Sequence, residues 1–186
     1  MQLREEALQS LLRLSRGIDS INERFGSIAD WMVLLSCLVS ATNAGVRYSF
    51  NYSSNAYLEI QWYLFGAMVL LGASYTLKLN EHVRVDIIYS QVSERTRMWI
   101  DLFGFIAFML PITMFLAWLC WPIFWMAFRS GEMSSNAGGL MTWPAKLLLP
   151  LGFSLLALQG FSELIKRIAA LRGLVTLDAK YAKPLQ

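Results

Sequence analysis

The chain has 186 residues, of which 56% are hydrophobic and 16% charged, with 16 Lys or Arg against 13 Asp or Glu and a formal net charge of +3. That balance is too apolar for one soluble domain of this length, and the charges leave four uncharged gaps, at 31–46, 60–77, 102–128 and 147–162. A helix rising 1.5 Å per residue needs roughly 20 mostly apolar residues to cross a ~30 Å hydrocarbon layer. Each gap reaches that length with its flanks, which implies an all-α integral membrane protein of four transmembrane helices and excludes a soluble enzyme, a nucleic-acid binder and a disulfide-stapled secreted domain.

Residues 1–26 are expected to form an N-terminal amphipathic interfacial helix. Leu8, Leu11, Leu12, Ser15, Ile18 and Phe25 recur at three- and four-residue intervals, with Arg4, Arg13, Arg16 and Arg24 between them. That pattern suits a helix lying in the headgroup layer, with Gly17 as its weak point; the lesser alternative is a soluble helix packed on a partner. The early charges do not read as a cleaved signal peptide, so this segment is expected to stay on the mature protein.

Residues 27–166 are expected to form the four-helix domain. The first span is predicted at about 28–48, followed by a short Asn- and Ser-rich loop, and the second at about 58–79. A charged connection leads to a third span at about 99–128. That span is longer than the bilayer requires, which predicts a strong tilt, a kink at Pro111 or Pro122, or an extension into water. A turn rich in small polar residues precedes the fourth span at about 143–165, and 167–186 form a basic tail.

Thirteen Lys and Arg fall before the first span, between the second and third, and after the fourth, whereas only Arg47, Arg129 and Lys146 fall on the other side. The positive-inside rule then places both termini in the cytoplasm, and the net positive charge is explained by sidedness.

Catalysis and ion coupling leave charges inside the membrane because burying them is costly. Here the span centres are uncharged, and Asp30, Glu59, Asp101 and Glu163 sit near span ends. A four-helix multidrug exporter would place a carboxylate in the middle of the first span. A haem subunit would need facing histidines, yet His82 is the single histidine and lies in a loop. Cys37 and Cys120 read as small packed thiols. These features predict no enzyme, no cofactor and no metal site.

Packing and recognition remain. Gly66 and Ala73 share a face of the second helix, and Gly152, Gln159 and Gly160 lie close together on the fourth. Such small faces let helices approach closely, within the chain or against a partner. Asn43, Gln61 and Gln159 read as inter-helix amides. Arg47 and Glu59 end two spans on the same side, as an ion pair closing the hairpin or as two solvated charges.

The stretch Glu59-Ile-Gln-Trp-Tyr-Leu-Phe-Gly66, then Leu71-Gly-Ala-Ser-Tyr-Thr-Leu-Lys78, then Glu81-His-Val-Arg-Val-Asp86 resembles the small membrane subunit of tripartite ATP-independent periplasmic (TRAP) transporters, the DctQ-like family. Arg47-Tyr48, the Ser134–Lys146 entry to the fourth helix and Leu149-Pro-Leu-Gly152 are similar to the same signature. The resemblance implies a scaffold subunit in a bacterial inner membrane. Its partners would be membrane lipids, a larger permease that holds the solute and sodium sites, and a periplasmic solute-binding protein; the solute would be an organic acid. In the loop after the second helix, His82, Arg84 and Asp86 would fix the turn, with Asp86, Asp101 and Asp30 as candidate partners of Arg84. The rival expectation is a self-sufficient homo-oligomeric transporter or channel.

Overall fold

The computed structural model describes residues 2–52, 54–80 and 92–175. Its elements are α1 (Gln2–Phe50), α2 (Asn55–Leu79), α3 (Glu94–Gly104), a π-helical turn (Phe105–Met109), α4 (Leu110–Ser130) and α5 (Trp143–Leu171). Four stretches are long and apolar enough to cross a membrane: most of α1, all of α2, the run from α3 through α4, and α5. No strand occurs among the described residues, only an isolated bridge between Met133 and Met141.

The N-terminal stretch is helical, as its spacing predicts, but it is the first part of α1 and not a separate element. At 49 residues α1 is about 73 Å long, and it runs through Gly17 and through residues 26 and 27 without a break. A mid-helix glycine costs only about 0.5–1 kcal/mol relative to alanine, and here packing outweighs it. Leu8, Ser15, Asn22 and Ala29 are buried at seven-residue intervals, and Ile18 is buried between them. A seam with that period winds one helix against its neighbour in a left-handed sense.

Two of the helix starts in the described chain are capped by serine. Ser54 accepts from the Ala56 backbone N–H to open α2, and Ser93 accepts from that of Thr96 to open α3. The third span has its irregularity at the π turn, which ends two residues before Pro111. Proline lacks an N–H and its ring clashes with the carbonyl four residues back, so the widened turn relieves a conflict that would otherwise kink the helix. Pro122, by contrast, lies inside an unbroken α4.

α5 is the central element. α1, α2 and α5 pack on one another pairwise, while the third span packs along α5. The apolar core joins Ala29 of α1, Ala67 and Leu71 of α2, and Leu155 of α5. The α2–α5 crossing is close because Gly152 has no side chain: a Cβ there would lie 2.7 Å from Leu70 Cβ and 2.8 Å from Leu70 O. Both cysteines are free; Cys120 is packed as expected, but Cys37 lies on the exposed face of α1.

Candidate functional site

The polar residues of the described chain gather into two clamps, one at each end of the bundle. At the end opposite the termini, Glu59 sits one turn inside α2 and is 1% exposed. Its carboxylate accepts from Ser134 Oγ, from Asn136 Nδ2 at 2.9 Å and from the Leu140 backbone N–H at 2.6 Å. These donors belong to the turn 131–142, which precedes α5. Gly139 makes the approach possible, since a Cβ there would lie 2.6 Å from Ser134 Cβ and 2.9 Å from Glu59 Oε1. Asn55 Nδ2 donates to Ala137 O at 3.0 Å, and the Tyr63 hydroxyl donates to Met141 O at 3.3 Å. The turn is therefore stitched to α2 by three α2 side chains, with a carboxylate at the centre. Arg47 is exposed and is not among the partners of Glu59, so the hairpin is not closed by an Arg47–Glu59 pair.

At the termini end, α1, α3 and α5 share a longer network. Gln159 of α5 is fully buried; its Nε2 donates to Asp19 Oδ1 at 3.0 Å and to Glu163 Oε1 at 3.1 Å. With its N–H groups committed to carboxylates, its Oε1 accepts from Asn22 Nδ2 at 2.7 Å. Ser162 Oγ donates to Asp19 Oδ1 at 2.7 Å, which leaves Ser15 as the donor in the 2.7 Å contact between the two serine hydroxyls. Lys166 bridges Asp19 at 2.7 Å and Glu163 at 2.8 Å. Arg167 donates from Nη1 to Glu163 at 2.6 Å and from Nε to Asp101 at 3.1 Å, with its guanidinium 4.6 Å from the Phe105 ring centroid. One α5 face thus ties the start of α1 to the start of the third span.

Of the residues singled out in the sequence, Gly152 faces Leu70 inside the molecule, and Gly160 faces the junction of the π turn and α4, where a Cβ would lie 3.0 Å from Leu110 Cδ2 and 3.3 Å from Met109 Cε. A Cβ at Gly66 would meet only Leu148 Cδ1, at 4.0 Å. Ala73 lines an apolar cleft between the second and third spans. His82, Arg84 and Asp86 lie outside the described residues, and Asp101, a candidate partner of Arg84, pairs with Arg167. Asp19, Asn22, Ser162, Lys166 and Arg167 are the network residues that the sequence reasoning missed. Their signal was present in the polar positions of the α1 seam, Ser15 and Asn22, and in the three- and four-residue spacing of Gln159, Ser162, Glu163 and Lys166.

These clamps hold the helices in register. Among the described residues no three His, Cys, Asp or Glu side chains are grouped so as to hold a metal ion. No curated protein and no solved structure matches the chain. The family described as "Tripartite ATP-independent periplasmic transporters, DctQ component" matches residues 31–170, about three quarters of the length. That region contains all of α2 to α4, the second part of α1 from residue 31, nearly all of α5, the Glu59 clamp and most of the α5 network. The chain belongs to the DctQ family, the small membrane component of TRAP transporters.

Proposed function

We propose that this chain is the static scaffold subunit of a sodium-coupled, binding-protein-dependent importer of an organic acid. In that role it braces a larger permease subunit that holds the solute and ion sites, and a periplasmic protein delivers the solute. One observation carries this reading. The three buried charged side chains of the described residues, Glu59, Glu163 and Arg167, are all engaged by groups of this same chain. Buried charge in a membrane protein marks either transport chemistry or a fixed structure, and saturated partners near the helix ends favour the second.

The orientation that fits is both termini in the cytoplasm of a bacterial inner membrane, because the Lys and Arg excess lies on that side. The Glu59 clamp then faces the periplasm, where the bound turn 131–142 offers a firm surface to a docking protein. His82, Arg84 and Asp86 would fix the cytoplasmic turn. Affinity purification of the tagged chain from its native membrane tests the assignment: a one-to-one complex with a large multi-span permease is expected. Recovery of the chain solely as a homo-oligomer would favour the self-sufficient transporter instead.

A further inference from the structure

The second and third spans stand apart on one face of the molecule and leave a cleft of about 940 Å³. Gly26 and Val33 of α1, Val69 and Ala73 of α2, and Gly104 and Met109 of the third span line it. The lining on α2 runs from Met68 to Leu77, nine helical rises or about 14 Å. One leaflet is about 15 Å of hydrocarbon, half of the ~30 Å layer. The cleft is thus one leaflet tall, half of what a transmembrane helix of a partner would occupy, and it opens on the termini side.

Its polar end fixes the chemistry of the occupant. Asp30 and Asp101 line the cleft next to the exposed Trp31 and close to the exposed Trp99, the residues that seat at headgroup depth. Asp101 is already paired with Arg167, whereas Asp30 has no ion pair or hydrogen bond among the described residues. A carboxylate without a partner among the described residues, at that depth, attracts a cation and repels an anion. We infer that the cleft is a lipid site that takes the acyl portion of an amine-bearing zwitterionic phospholipid, whose ammonium pairs with Asp30. The site stands on the membrane embedding of the four helices alone and does not depend on the large permease.

The full-length chain, purified in mild detergent and offered equal amounts of phosphatidylethanolamine and phosphatidylglycerol, tests this by native mass spectrometry. Retention should favour the ethanolamine lipid about tenfold, the ratio expected of one hydrogen bond to a charged group. Asp30→Asn should bring the two lipids to near parity. Gly104→Leu places a side chain in open space, since no heavy atom lies within 4 Å of a Cβ there. It should therefore abolish the adduct without lowering the unfolding temperature. Equal retention of both lipids by the unaltered chain would overturn the inference, as would an adduct that survives Gly104→Leu. A photo-crosslinker at Ala73 that reaches a protein partner in native membranes would also overturn it.

Discussion

Arg167 joins three helices, and its replacement by methionine separates a fixed network from a decorative one. The guanidinium is 7% exposed and lies between Glu163 and Asp101, at 2.6 and 3.1 Å. Methionine keeps much of the apolar stem but removes the charge, the donors and the stacking on Phe105. Lys166 still neutralises the Asp19–Glu163 side, so the uncompensated charge falls on the Glu163–Asp101 side. Breaking one member of a buried pair costs about 3–5 kcal/mol. At roughly 2–4 °C per kcal/mol for a chain of this size, the unfolding midpoint should fall by about 6–20 °C. The buried Cys120 supplies the reporter: in a Cys37→Ser background, a thiol-reactive dye reads its exposure during a thermal ramp. Lys146→Met is the control, because its 2.6 Å pair with Glu132 is solvent-exposed and worth about 0–1 kcal/mol. If Arg167→Met and Lys146→Met unfold at the same temperature, the Arg167 network contributes no buried electrostatics and the clamp is refuted.

Glu59→Ala removes the acceptor for three donors of the turn 131–142, so hydrogen exchange should speed at the Leu140 amide while the middle of α2 stays protected; unchanged exchange would show that the turn holds itself. Gly152→Leu drives a side chain into the Leu70 backbone, an overpacking of at least about 1–3 kcal/mol, and should lower protein abundance. Gly66→Leu meets little and should leave abundance normal; if it alone breaks the complex with the large permease, that face is the partner surface. For topology, a cysteine at Ser135 should react with an impermeant thiol reagent in whole cells and one at Ser93 should not. Labelling at Ser93 alone would invert the orientation.

The spans were legible because the absence of charge over 16 or more residues has one common physical cause, the cost of ions in hydrocarbon. The second span, expected at 58–79, is α2 from Asn55 to Leu79, and the fourth starts at Trp143 as predicted. The π turn was not legible, since hydrophobic spacing cannot distinguish a helix from one locally widened by a residue. The continuity of α1 was obscured by Gly17 and by the change from a charged to an apolar surface near residue 26. Glu59 stood out as an acid opening a helix, but its donors lie 75 to 81 residues away and meet it only on folding. The same holds for Asn22 and Gln159, 137 residues apart. Each is an ordinary polar residue on its own helix, and only the crossing of α1 over α5 makes them a pair.

Transport by reconstituted vesicles addresses the central claim most directly. With an inward sodium gradient and the solute-loaded binding protein outside, vesicles holding this chain together with the large permease should accumulate the solute. Vesicles holding this chain alone should show no uptake above protein-free vesicles. Sodium-driven uptake by this chain alone would contradict the scaffold assignment.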